Sequence, residues 1–286
     1  MSRGVLSPSD WHTSSVRRTA RVVHGVLLAL LFLVGLGPML WLAKAAVTPT
    51  QDTLREPLSL WPNGFDFANL ATAWTRVEID KYFLNTVIVA AGAWFVQLLV
   101  ATTAGYALSV LRPRYRKVLT GVVLATLFVP GVVLLVPLYL TVVDADLINT
   151  FWAVWLPAGA NAFNILLVQR FFDGLPREVF EAARVDGAGP YRLFWSVVLP
   201  MSRPILGVVS VFAVVAAWKD FLWPLLVLPD PDLQPLSVRL PALQQYVELD
   251  VFLAALAIST VIPVVLFLVF QRLFLQGDAL SGAVKG

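Results

Sequence analysis

Long apolar segments without charged residues dominate this sequence and decide what it can fold into. Hydrophobic residues make up 58% of the 286 residues and charged residues only 14%, whereas a soluble domain carries about 25% charged residues. A helix that crosses a membrane needs about 20 apolar residues, and six blocks are long enough: residues 22–43, 82–111, 118–143, 147–169, 204–229 and 251–271. No block alternates polar and apolar residues with a period of two, which excludes transmembrane β-strands. The sequence therefore predicts an all-α, polytopic membrane protein with six transmembrane helices.

The distribution of lysine and arginine predicts which side of the membrane each loop faces. Cytoplasmic loops carry an excess of these residues. If the N-terminus is cytoplasmic, fifteen of the 21 lie on the inner side, five lie on the outer side, and Lys219 lies within a helix. We therefore expect both termini and the longest inner loop, residues 171–203, to be cytoplasmic. The net charge of +3 reflects this topology and gives no sign of nucleic-acid binding.

The predicted organisation has three parts. Residues 1–21 form a basic cytoplasmic arm, residues 22–275 form the six-helix transmembrane domain with its loop at 171–203, and residues 276–286 form a small, flexible cytoplasmic tail. The first apolar block exceeds the ~7–15 residues of a signal-peptide core, so we expect an uncleaved helix. The chain has no cysteine, so neither a disulfide framework nor a thiol mechanism is available.

The inner loop has the residue pattern of two short helices joined by a bend. Pro176 suits the first turn of a helix because its missing N–H costs nothing there, and residues 176–185 follow a helical pattern. Gly187 suits the left-handed conformation that stops a helix. Pro190 then begins a second helix over residues 191–198, which we expect Pro200 to end.

The apolar face of the first of these helices has two explanations. Val179, Phe180 and Ala183 share one face, and an exposed apolar knob costs solvation free energy unless something covers it. The helix either rests on lipid headgroups or docks on a partner protein. The residues alone favour neither.

Several fixed positions in this loop carry a resemblance to a known family. Glu181-Ala182-Ala183, Asp186-Gly187-Ala188, Phe194 and Leu199-Pro200 have the spacing of the cytoplasmic coupling loop in the membrane permease subunits of bacterial ATP-binding-cassette importers. The sequences Tyr82-Phe-Leu-Asn-Thr86, Leu147-Ile-Asn-Thr150 and Arg170-Phe-Phe-Asp-Gly-Leu-Pro176 resemble permeases of the maltose (carbohydrate) type. The resemblance extends from Leu54 to Gly286, and it favours the docking explanation of the loop.

This resemblance implies one subunit of a larger machine in a bacterial inner (cytoplasmic) membrane. Two permeases form the pore, two ATP-binding-cassette ATPase subunits bind ATP and Mg, and an extracytoplasmic binding protein delivers the substrate. The chain itself, in contact with the lipid bilayer, is expected to hold no cofactor and no metal. The residues implied in coupling to the ATPase are Glu181, Ala182, Ala183, Asp186, Gly187, Phe194 and Pro200.

Two charged residues interrupt the fifth apolar block. The sequence Trp218-Lys-Asp-Phe-Leu-Trp-Pro224 resembles a family motif that usually carries Asn where Lys219 stands. We place both charges on the fifth helix, and an ionisable residue inside a membrane is by default a hypothesis about function. A lysine here would favour an acidic or phosphorylated substrate. Alternatively, Lys219 reaches the outer headgroups and Asp220 bonds a neighbouring helix.

Amide side chains are the other polar groups at membrane depth: Asn85, Gln97, Asn161 and Asn164. Asn161 and Asn164 are three residues apart, which predicts that they share a helix face and suit a hydroxyl-rich ligand. The more common use of such amides is hydrogen bonding between helices. The candidates for the substrate pathway are Asn161, Asn164, Trp218, Lys219 and Asp220.

No catalytic motif accompanies these residues. The sequence has no His-Glu-x-x-His, no Gly-x-Ser-x-Gly and no Gly-Lys-Ser/Thr phosphate loop. We therefore expect a permease for a carbohydrate, with ATP hydrolysed by separate subunits, and not an enzyme. The alternative is a secondary transporter or channel that uses Lys219 and Asp220 as an ion or proton site; a membrane-embedded enzyme is a more distant one.

Overall fold

The computed structural model describes residues 14–57, 59, 61 and 64–282, and this part of the chain is helical with no strand. The all-α prediction therefore holds for the described residues. They form two compact units: one runs up to Ala73 and includes Val247–Ile258, and the other contains Trp74–Tyr246 and continues from Ser259. Residues 1–13 of the predicted arm and 283–286 of the predicted tail lie outside the described residues.

The first unit is built on a long apolar helix. Its helices are α1 (Ser14–Ala45), α2 (Thr50–Arg55), most of α3 (Ala68–Arg76) and the beginning of α15 (Leu249–Gly282). Every side chain of α1 from Val22 to Leu36 is exposed, as expected of a helix whose apolar surface faces lipid. Helix α1 begins at Ser14, so residues 14–21 of the predicted arm are helical.

The second unit surrounds one helix, α4 (Ile79–Tyr106), which continues as a π-helix (Ala107–Leu111). The helices that follow are α5 (Arg116–Thr126), α6 (Gly131–Asp144), α7 (Trp152–Gly159), α8 (Ala162–Asp173), α9 (Arg177–Val185), α10 (Pro190–Leu193), a second π-helix (Phe194–Val198), α11 (Leu199–Met201), α12 (Arg203–Lys219), α13 (Leu222–Val227), a 3₁₀-helix (Pro231–Leu233) and α14 (Leu236–Leu243). Helices α7, α8 and α12 all pack against α4. A Cβ atom at Gly92 of α4 would lie 2.1 Å from the Trp155 ring, so glycine permits this close approach.

Three apolar blocks are broken where the sequence predicts continuous helices, and the third, block 204–229, divides into α12 and α13 after Lys219. Block 118–143 becomes α5 and α6, which bend by 105°, and block 147–169 becomes α7 and α8. The first break lies at Pro130, because proline has no N–H to donate and its ring keeps the preceding Val129 out of the helical conformation. The second break lies at Asn161, whose extended backbone (φ −82°, ψ 98°) begins α8.

The number of membrane spans follows from helix length and composition. Among the described residues, Arg18–Ala45 and Ile79–Leu111 are long and apolar enough to cross a membrane. Two bent pairs, α5 with α6 and Pro190–Met201 with α12, pass only if each pair counts as one span, and α15 contributes a shorter apolar stretch, Leu249–Val265. The prediction of six spans stays a prediction.

The beginning of α4 holds the segment that precedes α14. The hydrogen bonds run from Asn85 Nδ2 to the carbonyls of Asp232 (2.8 Å) and Gln234 (3.1 Å), and from the Leu236 N–H to Thr86 Oγ1 (2.9 Å). These contacts give the Tyr82–Thr86 sequence a structural role. At the other end of the chain, α15 stays helical to Gly282, so residues 276–282 of the predicted tail are helical.

Candidate functional site

The first helix of the predicted coupling loop (residues 181–200) ends as its sequence predicts. Helix α9 begins directly after Pro176, and Gly187 adopts a left-handed conformation with φ of 77°. The Gly187 N–H donates to the Arg184 carbonyl (3.0 Å) and the Ala188 N–H donates to the Ala183 carbonyl (2.9 Å). These two bonds form a Schellman motif, which satisfies the last carbonyls of the helix and turns the chain. Asp186, the residue before the turn, is exposed.

The second helix of the loop does not end at Pro200, contrary to the sequence prediction. It runs through Pro200 to Met201 and breaks at Ser202. From Phe194 to Val198 it widens into a π-helix, and the Leu199 N–H donates to the Phe194 carbonyl five residues back. A proline ring normally clashes with the carbonyl four residues back, and the wider turn gives the Pro200 ring room.

The loop presents a different apolar surface from the one that the sequence predicts. Phe180 is buried (8% exposed), and Ala183 packs half-buried against the same core, so this face turns into the protein's own interior. Glu181 and Ala182 are exposed. The exposed large apolar side chains are Val185 (87%), Tyr191 (84%) and Trp195 (61%).

The buried side of the loop rests on the end of α4. Phe194 is 8% exposed, and its ring centroid lies 5.0 Å from that of Tyr106. The Tyr106 hydroxyl donates to the Pro190 carbonyl at 2.8 Å. Phe194 therefore anchors the loop within this chain, whereas Pro200 is exposed.

A cluster of charges joins the same end of α4 to the beginning of the loop. Asp173 Oδ1 accepts a hydrogen bond from Ser109 Oγ (2.9 Å) and lies 3.6 Å from Arg112 and 3.9 Å from Arg116. Beside it lies a cavity of about 170 Å³ whose charged lining residues are Arg112, Asp173, Arg177, Glu181 and Arg184. Glu181 thus stands next to basic side chains of its own chain.

A second cavity, here named the polar cavity, has a volume of about 300 Å³. It lies among α4, α6, α7, α12 and α13, and its polar and aromatic lining residues are Gln97, Asn161, Asp220 and Trp223. Two of the predicted pathway residues, Asn161 and Asp220, are thus brought together. Lys219, Trp218 and Asn164 are not among the lining residues.

The two predicted asparagines do not share a helix face. Asn161 is the N-cap of α8, and its Oδ1 accepts the Asn164 backbone N–H (3.0 Å). Asparagine is a preferred N-cap because its side chain satisfies a free helical N–H. Asn164 is 1% exposed, and its Nδ2 donates to Gln97 Oε1 (2.5 Å). Asn164 therefore bonds between helices.

Lys219 and Asp220 do not lie together in a helix, contrary to the sequence prediction. Helix α12 ends at Lys219, and Asp220 has extended backbone (φ −68°, ψ 123°). In a continuous helix the Asp220 carbonyl would accept the N–H of residue 224, but Pro224 has none. That carbonyl accepts the Ser237 hydroxyl instead (2.6 Å). After the break, Asp220 lines the polar cavity, while Lys219 is exposed and does not line it.

Trp218 occupies a packing position. It is half-buried, and its ring centroid lies 6.0 Å from that of Phe83 on α4.

Two residues outside the predicted set have larger roles: Gln97 in the polar cavity and Tyr106 under the loop. A glutamine within an apolar block was a usable signal for the first, but no local pattern marks Tyr106.

Comparisons with known proteins give consistent results. A family model described as "Binding-protein-dependent transport system inner membrane component" matches residues 97–277. The diacetylchitobiose uptake system permease protein NgcG of Streptomyces coelicolor is 36% identical over 265 residues, covering 91% of this chain and 87% of that protein. The sn-glycerol-3-phosphate transport system permease protein UgpE of Agrobacterium fabrum is 28% identical over 272 residues, covering 91% and 96%.

The fold also matches a solved structure. One chain of a bacterial ABC transporter involved in the import of the acidic polysaccharide alginate superposes with a TM-score of 0.81 at 23% sequence identity, covering 93% of this chain and 98% of that chain. The transported compounds named for these proteins include a neutral sugar, a phosphorylated polyol and an acidic polysaccharide. The names therefore leave the charge of the transported compound open.

Proposed function

This chain belongs to the family of binding-protein-dependent transport system inner membrane components, and from that premise we propose that it forms half of the pore of a carbohydrate importer. It is a permease subunit of an ATP-binding-cassette importer, as the sequence predicts. It is accordingly a transport subunit and not an enzyme. The interpretation as a secondary transporter or channel is not favoured by these relatives.

The proposed assembly has four further kinds of contact. A second permease completes the pore, two ATPase subunits bind ATP with Mg, an extracytoplasmic binding protein delivers the substrate, and the bilayer surrounds six spans. We place both termini and the coupling loop on the cytoplasmic side, because lysine and arginine are concentrated in those segments. The proposed domain bounds are 1–21, 22–275 and 276–286.

The observation that carries the docking proposal is the two-sided construction of the coupling loop. One side is fixed to α4 through Phe194 and the Pro190 carbonyl. The other side exposes Glu181, Ala182 and the three large apolar residues near the bend. An exposed apolar surface of this kind is typical of a protein contact, and in this family the chain requires a motor subunit. We assign that surface to the ATPase.

Glu181, Ala182 and Asp186 are the proposed direct contacts, and Gly187 provides the bend. Phe194 and Ala183, which face the interior, hold the loop in place. A carboxylate at the edge of such an interface adds specificity and register more than affinity. Pro200, exposed on α11, stays within the proposed surface.

The substrate pathway is proposed to pass the polar cavity, with Asn161 and Asp220 on its wall and Asn164 and Trp218 supporting it. Lys219 lies outside that cavity. A carbohydrate is the proposed substrate because amide and carboxylate groups suit hydroxyl groups, and because NgcG is a diacetylchitobiose uptake permease.

The proposal is tested by co-expressing the chain with the second permease and the ATPase encoded beside it. Glu181→Arg is expected to reduce copurification of the ATPase at least about tenfold, because charge reversal at an interface opposes docking. Glu56→Arg, which reverses an exposed carboxylate outside the loop, is the matched control. Substrate movement by this chain alone on an ion gradient, without ATP, would overturn the proposal.

A further inference from the structure

The residues that line the polar cavity differ in whether they donate or accept hydrogen bonds. Its volume of about 300 Å³ lies at the lower end of the ~300–1,000 Å³ range of small-molecule pockets. Small apolar residues line much of it, so its chemistry depends on Gln97, Asn161, Asp220 and Trp223.

The Gln97 side chain is held in one orientation. It is 5% exposed, and its Oε1 accepts the hydrogen bond from the buried Asn164 amide. Among the described residues no hydrogen bond engages the Gln97 side-chain nitrogen. Gln97 therefore has an N–H donor free for a ligand.

The Asn161 side-chain amide is also held in one orientation by a hydrogen bond to its oxygen. Its Oδ1 is occupied by the Asn164 backbone N–H, so its free hydrogen-bonding group is again an amide nitrogen. Trp223 donates its Nε1–H to the Ala153 carbonyl (2.9 Å). Its indole therefore offers the cavity a ring surface and no free donor.

Asp220 supplies the charge of the cavity. Asp220 is the only ionisable residue among the lining residues that the structure describes. No ion pair in the described part of the chain engages Asp220, and Lys219, next in sequence, lies outside the lining. An anionic ligand would meet repulsion here, whereas a ligand hydroxyl would find an acceptor.

We propose that the polar cavity binds an uncharged, hydroxyl-rich ligand such as a single sugar ring, and that Asp220 selects against anionic ligands. Gln97 and Asn161 donate hydrogen bonds to ring or hydroxyl oxygens, Asp220 accepts hydroxyl protons, and the Trp223 ring packs on the C–H face of the sugar. This inference rests on the proposed function, and it names the ligand class of its pathway. It reverses the prediction from sequence that Lys219 favours an acidic substrate.

The absence of cysteine from the sequence allows a test that does not require the natural substrate. Ala217 lines the cavity, and Ala217→Cys places the only thiol of this subunit there. In the complete importer, its labelling rate is measured with a cationic (trimethylammonium-ethyl) and an anionic (sulfonatoethyl) methanethiosulfonate. We expect the cation to react about tenfold faster relative to a free thiol, because a charged, low-dielectric cleft concentrates counter-ions by 10-fold or more.

Substitutions test which residues cause the faster reaction of the cationic reagent. Asp220→Asn is expected to abolish it, Gln97→Glu to increase it, and Lys219→Gln to leave it unchanged. Faster labelling by the anionic reagent, or equal rates for the two reagents, would overturn the role given to Asp220.

Ligand protection tests the chemical class. Millimolar N,N′-diacetylchitobiose or lactose is expected to slow labelling of Ala217→Cys several-fold, and sn-glycerol 3-phosphate to have no effect. Gln97→Leu should remove the protection while the subunits still copurify. Protection by the phosphate alone, or by none of the three, contradicts the inference.

The two proposals fail in different ways. If the ATPase copurifies and drives uptake but labelling shows no charge preference, only the ligand assignment falls. If the ATPase does not copurify with the wild-type chain, the importer proposal falls whatever the labelling rates are.

Discussion

The hydroxyl of Tyr106, the last residue of α4, donates a 2.8 Å hydrogen bond to the carbonyl of Pro190, the first residue of α10. The Tyr106 ring also packs on Phe194, with centroids 5.0 Å apart. One side chain thus fixes both ends of a short segment within the coupling loop. The central helix of the second unit is therefore in direct contact with the inner side of the loop whose outer side is the proposed docking surface.

Tyr106→Phe should loosen that contact without removing the ring. The variant keeps the packing on Phe194 but leaves the Pro190 carbonyl without its donor, at a cost of about 1 kcal/mol. Hydrogen exchange of the amides between Tyr191 and Trp195 should be several-fold faster than in the wild type. Tyr191→Phe, at a position 84% exposed, is the control, and equal exchange in the two variants would contradict the role of Tyr106.

Gly187→Val should disturb the bend of the coupling loop through backbone strain alone. A Cβ atom would meet nothing within 4 Å there, but φ is 77°, and holding a β-branched residue in that conformation costs about 1–3 kcal/mol. We expect at least a fivefold loss of ATPase copurification with the amount of membrane-inserted chain unchanged. Gly189→Val is the matched control because Gly189 has equal space and an ordinary φ of −68°. Normal ATPase copurification and transport in Gly187→Val would count against the bend.

Gly92→Ala should destabilise the packing of α4 on α7. The new Cβ atom would lie 2.1 Å from the rigid Trp155 ring, and overpacking of this kind costs about 1–3 kcal/mol. The thermal midpoint of the purified importer should fall by several degrees. Gly121→Ala on α5, where a Cβ atom meets nothing within 4 Å, should leave the midpoint unchanged. If both variants melt alike, the close approach at Gly92 is wrong.

Asp173→Asn should weaken the junction between α4 and the coupling loop. The variant loses its charge attraction to Arg112 and Arg116, and partly exposed pairs of this kind contribute up to about 1 kcal/mol. Limited trypsin cleavage after Arg116 should be faster than in the wild type at low salt, and this difference should shrink in 1 M salt because screening weakens the wild-type pair. Asp144→Asn, which changes an exposed carboxylate, should show no such salt-dependent difference.

Asn161 has a capping role that can be separated from its proposed contact with ligand. Asn161→Ser retains a capping oxygen, whereas Asn161→Ala removes it and should cost about 1 kcal/mol. The serine variant should therefore match the wild type in thermal midpoint but lose protection of Ala217→Cys by diacetylchitobiose. Full protection in the serine variant would show that the Asn161 nitrogen does not contact the ligand.

The sequence was most informative where local chemistry decides the backbone. Pro176 and Gly187 mark the beginning and end of α9, because one lacks an N–H and the other tolerates positive φ. The sequence did not predict the break after Lys219, although Pro224 causes it. Composition alone predicts one span over block 204–229. The Asp220 carbonyl, which has no partner in the helix, accepts a hydrogen bond from Ser237, and the sequence does not show this tertiary contact.

The polar cavity could not be assembled from the sequence for a related reason. Asn161 and Asp220 are 59 positions apart in the printed sequence, and they meet because α7, α8 and α12 all pack on α4. The sequence marked both residues as polar groups in apolar surroundings. It gave no means of deciding that Lys219 lies outside the cavity while Asp220 lines it, because that depends on a backbone turn between them.

Helix α4 carries Gln97 in the wall of the polar cavity and Tyr106 under the coupling loop. At 1.5 Å per residue, the two positions are about 14 Å apart along one continuously hydrogen-bonded rod. A force applied to the loop is therefore transmitted with little compliance to the side chain that donates to the ligand. The π-helical turn follows Tyr106 on the side away from Gln97 and so lies outside this path. A movement of the loop therefore reaches the wall of the polar cavity through α-helical turns only.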